Sequence, residues 1–307
     1  MKHAMRRTGA ALLIALLAAP MGARGGSVVL KKAWVEKYKN RATIEVKLTI
    51  DKSHKYPNSI KDDGDDGDLH MAGRAPLAGL PMVAEIMNAK GQPAALNLVK
   101  VKKGKEEGVR LVGAWRLWFE HPPNEEQEQF TTVLPPEDSN PPHVFEIHPI
   151  SVIESHNIQG SFARIPGFRA YDAQTAFPYF ENKKVIVQTT DSGVRLISTK
   201  AQYNYVEFRI ELTQKPVKRA DGYMVLAIVK DAEGNPAAPG PRRMVFVAGT
   251  EPADKVKTLE KGGKMRVLGI PRINLFEIAK IAKTAGPHGI ERNLPYEMII
   301  VGHFPEE

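Results

Sequence analysis

The sequence predicts an all-β protein: two tandem five-stranded OB-like Greek-key barrels behind an N-terminal signal peptide. Three observations carry that prediction. Gly and Pro are frequent, at 25 and 23 of 307 residues, which suits many turns and short strands better than long helices. Apolar and polar residues alternate with period 2 in short segments. Those segments follow in the same order twice along the chain, which marks a repeat.

In the first copy, Thr43 to Thr49 (TIEVKLT) turns Ile44, Val46 and Leu48 to one side. In the second, Glu207 to Thr213 (EFRIELT) does the same with Phe208, Ile210 and Leu212. After a loop, an acidic residue and glycine open the next strand, in Gly67-Asp68-Leu69-His70-Met71 and in Asp221-Gly222-Tyr223-Met224-Val225. Third strands are expected over Met82 to Met87 and Met244 to Ala248. Lys-rich insertions follow over Lys90 to Lys105 and Asp254 to Lys264. Fourth strands are expected over Val109 to Phe119 and Met265 to Ile270, and fifth strands over His143 to Ile153 and Tyr296 to Val301. Five strands with an insertion between the third and fourth follow the OB (oligonucleotide/oligosaccharide-binding) plan. One large β-sandwich would also absorb these strands, but the duplicated order favours two barrels. The expected units are a signal peptide over 1–26, a first barrel over 33–153, a packed linker over 154–192 and a second barrel over 193–307. In the linker, Ile165-Pro166-Gly167 and Phe177-Pro178 read as turns, and aromatics from Phe162 to Phe180 pack it onto a barrel. Ala253 to Lys261 and Leu275 to Lys283 read as short helices.

The leader is read from Lys2, Arg6 and Arg7, then an uncharged run from Ala10 to Ala19, then Pro20, Gly22 and Ala23. That run is shorter than the roughly 20 residues needed to span a bilayer. The expected location is therefore periplasmic or secreted, with no membrane span in the mature chain. The absence of cysteine excludes disulfides and thiolate metal sites. The formal net charge is +8, and the leader's Lys2, Arg6 and Arg7 contribute to it. The sequence carries no G-x-S-x-G, Walker loop, H-E-x-x-H or G-x-G-x-x-G.

The motifs Asp66-Gly67-Asp68-Leu69-His70, Val83-Ala84-Glu85-Ile86 and Glu146-Ile147-His148-Pro149 resemble those of uncharacterised exported bacterial proteins with OB-like barrels. The resemblance covers about residues 33 to 153 and implies no established activity. The second copy keeps Asp221-Gly222, but Val225 stands near the place of the histidine. Its closing segment Ile299 to His303 lacks the glutamate–histidine pair.

In an OB barrel the second, third and fifth strands are neighbours, so Asp68, His70, Glu85, Glu146 and His148 are expected on one patch. Their nitrogens and oxygens suit a divalent ion, zinc or manganese. A solvated or hydrogen-bonded strand face is the competing expectation. His70, Glu85, Arg116, Trp118, Glu146 and His148 are the candidate ligand contacts, with His121 as a further metal candidate. The run Asp62 to Asp68 looks like a calcium loop but fails the EF-hand spacing, because Gly67 falls at a ligand position. The expected barrel mouth carries Asp62, Asp63, Asp65, Asp66, Glu125, Glu126, Glu128, Glu137 and Asp138, which would repel phosphates. An envelope glycan, peptide or protein therefore fits better than nucleic acid. The expected role is binding or scaffolding in the cell envelope. The alternative is a metal-dependent hydrolase or phosphodiesterase acting through the His/Glu/Asp patch.

Overall fold

Alternation of side chains closes the chain into two barrels. The structure is a computed structural model and describes residues 25–61 and 66–305. The expected leader lies outside these residues up to position 24, as do Asp62, Asp63 and Asp65 of the acidic run. In chain order the elements begin with β1 (Gly26–Leu30), α1 (Lys32–Tyr38), β2 (Thr43–Ser53), β3 (Leu69–Arg74) and β4 (Met82–Ile86). Then come α2 (Pro93–Lys102), β5 (Val109–His121), β6 (Glu126–Glu128), β7 (His143–Ile153) and β8 (His156–Asn157). The middle of the chain forms β9 (Tyr171–Asp172), α3 (Ala173–Asn182), β10 (Lys184–Thr189), β11 (Val194–Ser198) and β12 (Val206–Leu212). The remainder is β13 (Val217–Arg219), β14 (Gly222–Lys230), β15 (Arg242–Val247), α4 (Glu251–Val256), β16 (Lys264–Ile273), α5 (Leu275–Ala282), β17 (Ile290–Asn293) and β18 (Tyr296–Phe304).

In the first barrel β2 pairs with β3 and β5, β3 with β4, and β7 closes the ring by lying parallel to β4 and antiparallel to β5. In the second, β12, β14, β15, β18 and β16 repeat that circuit, with β15 and β18 as the parallel pair. This is the expected OB order, twice. The insertions are α2 and α4, each with proline in its first turn, where the missing N–H is no loss. Leu69, Met71, Ala84 and Ile86 fill the first barrel, so His70 and Glu85, one residue out of step, point outside it. The Asp221-Gly222 motif has a steric reason in the second barrel. A Cβ on Gly222 would lie 1.9 Å from the Phe246 carbonyl oxygen.

Two features depart from the expected organisation. Phe177-Pro178 is not a turn, because both residues lie inside α3. Ala173, Ala176, Phe177 and Phe180 recur at helical spacing and are buried, and Asp172 caps the start by accepting from the Thr175 N–H at 2.7 Å. Val194–Ser198 falls in the range expected for the second barrel but pairs antiparallel with β1. It belongs to a third sheet in the order β17-β10-β11-β1-β6. That sheet joins the chain start to the segments between the fourth and fifth strands of both barrels.

The barrels are clasped by buried charge. The Arg272 guanidinium stacks 3.5 Å from the centre of Trp115 and donates from Nε to Glu297 Oε1 at 2.7 Å. Its Nη atoms donate across the contact to the carbonyls of Trp115 at 2.9 Å, Arg41 at 3.0 Å and Ala42 at 3.3 Å. In the other direction Arg116 Nε donates to the Pro271 carbonyl at 3.0 Å. Asp221 Oδ2 accepts from Thr43 N and Oγ1, both at 2.8 Å, and from Arg41 Nε at 2.9 Å.

Arg272→Ala strands these carbonyls in the interior and takes from buried Glu297 one of its two arginine partners, leaving Arg243 at 3.0 Å. It should lower unfolding free energy by about 3–5 kcal/mol in denaturant titration. The Asp221 carboxyl is held below its ordinary 3.8. Burial opposes this, but the Thr43 and Ala42 amides and Arg41 outweigh it. Its stabilising contribution is therefore complete above pH 3.8 and is lost as pH falls through the lower folded value. Asp221→Asn should remove that part of the acid dependence of the melting temperature.

Candidate functional site

The outward residues of β3, β4 and β7 meet on one wall of the first barrel. His70 stands opposite Glu85 in the antiparallel β3–β4 ladder, and Glu146 lies opposite Val83 in the parallel β4–β7 ladder. The five metal candidates thus converge, as sidedness predicts. They fall into two sets that share Glu85: Asp68, His70 and Glu85, and then Glu85, Glu146 and His148. Within each set the ligating atoms lie within 4.8 Å of one another.

The outer set opens to solvent. His70 Nε2 lies 2.6 Å from Asp68 Oδ2 and 3.6 Å from Glu85 Oε1. Asn58 Nδ2 donates to Asp68 Oδ1 at 2.8 Å, and the Asp68 amide donates to Asp66 Oδ1 at 3.2 Å. The His54 ring stacks on His70 with centroids 4.7 Å apart. His70 Nδ1 is buried without a hydrogen-bond partner. These residues floor a cleft of about 380 Å³, whose far wall carries Glu120, His121, Asn140 and Asn204.

The inner set is sealed and already neutralised. Glu146 receives Arg116 Nη1 at 2.6 Å on one oxygen and faces His143 Nε2 at 3.0 Å on the other. Arg116 Nη1 also donates to Glu120 Oε2 at 2.8 Å. His148 Nδ1 makes ion-pair contact with Glu85 Oε2 at 2.8 Å, and its Nε2 lies 2.7 Å from the Tyr205 hydroxyl. Tyr205 comes from the segment leading into the second barrel. It braces His148, which in turn braces Glu85 at the cleft floor.

The electrostatics follow from crowding charge in a dry place. Burial alone would lower His70, but Glu85 and Asp68 outweigh it and raise its pKa to about 10. Burial would raise Glu85, but His148 and His70 hold it at about 2. Burial likewise works against His148, which Glu85 and Glu146 hold well above its usual value. At Asp66 the pull of His148 and of the Asp68 amide is outweighed. Burial, then Asp68 and Glu85, raise it to about 8. His121 is lowered chiefly by burial. The imidazolium of His70 thus sits among carboxylates where a cation would otherwise balance them. Carboxylate oxygens with one imidazole nitrogen fit a borderline divalent ion, and the inner residues would orient those ligands.

Several expected ligand contacts are corrected. Trp118 does not face the cleft. It is 1% exposed and meets Phe180 of α3 edge-on at 5.8 Å, so it belongs to the core. Arg116, Glu146 and His148 are sealed beneath the cleft floor and support it instead of touching a ligand. Only His70 and Glu85 of the six reach the cleft. Asp66, Asn58, His143 and Tyr205 were not singled out as site residues from the sequence. Asp66 stood in the acidic run and at the head of the first motif without being assigned a ligand role, and Tyr205 arrives from the other half of the chain with no local signal.

The register also corrects the match between the copies. Opposite Val245 stands Met224, not Val225, as His70 stands opposite Glu85. Arg272 opposes Glu297 as Arg116 opposes Glu146, so the second barrel keeps the glutamate. Ile299, beside Val245, takes the place of the histidine. Met224, Val245 and Ile299 are buried in an apolar cluster with Ala42 and Ala114 of the first barrel.

Fold and cluster together define a tandem OB-barrel protein with an acid–histidine site on its first barrel. No family model matches the chain, and no curated protein does. Among solved structures, it is similar to one described as "Structure of murine DNA binding protein bound with ds DNA". That match has a TM-score of 0.21 and 11% identity, over 84% of this chain and 94% of that one. It is also similar to one described as "Structural mimicry for functional antagonism", with a TM-score of 0.20 and 8% identity, over 87% and 95% of the two chains. Likenesses at this level carry no argument about what this chain binds. Among the described residues, no helix is long and apolar enough to cross a membrane.

Trp118→Ala should lower stability by about 3–5 kcal/mol, as emptying a core position does. Thermal denaturation reads this directly, and a variant as stable as the parent would return Trp118 to the ligand surface.

Proposed function

We propose that this is an exported binding protein of the bacterial cell envelope. Its first barrel holds a divalent cation, zinc or manganese, at Asp68, His70 and Glu85, and takes its ligand in the cleft above them. One observation carries the reading. Three ligating side chains from adjacent strands gather at the floor of a cleft, while the carboxylates of the second set beneath them are already balanced by Arg116 and His148. The donor set is mixed nitrogen and oxygen, which suits zinc or manganese better than calcium. The amides of Asn58, Asn140 and Asn204 suit the hydroxyls and amides of a glycan, peptide or protein, and the carboxylates disfavour phosphate polymers.

His121 favours a second reading. Its pKa is lowered and it stands in the cleft wall, where a neutral imidazole could accept a proton. A bound divalent ion would supply Lewis acidity for hydrolysis, making the protein a metal-dependent hydrolase or phosphodiesterase.

Elemental analysis after loading with zinc or manganese should find a single ion per chain. His70→Ala and Glu85→Gln should lose it, and His148→Ala, which removes only a brace, should weaken it about 10–100-fold. A protein that retains no ion, or a His70→Ala variant that retains it fully, rejects the site. Metal-dependent hydrolysis of bis(p-nitrophenyl) phosphate that disappears in His70→Ala would select the second reading.

A further inference from the structure

The second barrel carries a groove of its own. It has a volume of about 590 Å³ and lies between the loop after β12 and the segment joining β16 to β18. Those connections, first to second strand and fourth to fifth, are the ones that frame ligands in OB barrels. The groove is therefore at the barrel's ligand mouth, on a different barrel from the acid–histidine cleft.

Its charge is the reverse of the first barrel's mouth. The loop after β12 carries Lys215, Lys218 and Arg219 against Asp221. The segment before β18 carries Lys280, Lys283 and Arg292 against Glu277 and Glu291. Arg242 and Arg243 of β15 form the wall. Both wall arginines are held in place by carboxylates: Arg242 by Glu181, and Arg243 by Glu297 at 3.0 Å. Arg219 is exposed in the lining and makes no ion pair among the described residues. An anionic ligand would give it one.

The kind of anion follows from the rest of the lining. The Phe276 ring is already covered by cations, with Lys280 Nζ at 4.3 Å and the Arg243 guanidinium at 5.5 Å, so no free aromatic face is offered to a base. Glu181 and Glu277 also line the groove, ion-paired to Arg242 and Lys280. The same carboxylates, with Gln214 and Asn274, are suited to sugar hydroxyls. We propose that this groove binds an acidic oligosaccharide, with Arg219 pairing to a sugar carboxylate and the neighbouring amides and carboxylates reading its hydroxyls.

The test is calorimetric titration of the full-length protein with a linear hexagalacturonate. A chelator is present so that a cation at the first barrel plays no part. Saturable binding is expected, and Arg219→Gln, a surface change, should weaken it by about tenfold or more, the scale of one charge-assisted hydrogen bond. Neutral maltohexaose should bind at least about tenfold more weakly than the uronate. Four outcomes overturn the assignment: no saturable binding, Arg219→Gln binding as well as the parent, maltohexaose binding as tightly as the uronate, or hexathymidylate binding more tightly. The metal test on the first barrel is independent of each of these.

Discussion

A guanidinium buried between the fourth and fifth strands of each barrel must be neutralised where it stands. Much of the architecture answers that requirement. Arg116 is matched to Glu146 and Arg272 to Glu297, at equivalent register positions. Neither arginine has measurable exposure, so each charge is tolerable only because a carboxylate on the neighbouring strand and carbonyls across the barrel contact satisfy it. Both arginines reach into the other barrel, which ties the relative placement of the two to the same interaction.

The two copies then use one face in opposite ways. In the first barrel the line His70, Glu85 and His148 is polar, and its outer end opens to a cleft. In the second, the same line is Met224, Val245 and Ile299, which packs against Ala42 and Ala114. The second copy has no polar set on this line and presents a continuous apolar docking surface instead. The first copy carries it, with its inner half buried where the barrels meet. Tyr205 shows the coupling: a residue leading into the second barrel completes the hydrogen bonding of a histidine in the first.

How far the chain was readable depends on the range of the interaction. TIEVKLT and EFRIELT revealed strands because period-2 alternation is a local property, and the convergence of Asp68, His70, Glu85, Glu146 and His148 followed from strand faces plus the OB order. Trp118 was misread because its alternation shows only that it points out of the barrel. That α3 waits there with Phe180 is a contact across the fold. Val225 was matched instead of Met224 because loops of unequal length hide a one-residue offset until the ladder pairs are known. The third sheet had no local signature at all, since β1 finds its partner near residue 196.

Sequence alone was enough to specify the all-β class, the two barrels and the face on which the acids and histidines stand, because each of these is written in neighbours two residues apart. Tertiary structure decided which of those residues meet solvent, which are sealed, and which are already charge-balanced. The physical reason is that burial and Coulombic pairing depend on distance in space. Arg116, His143 and Tyr205 come close to the site only once β5, β7 and the approach to β12 are packed together.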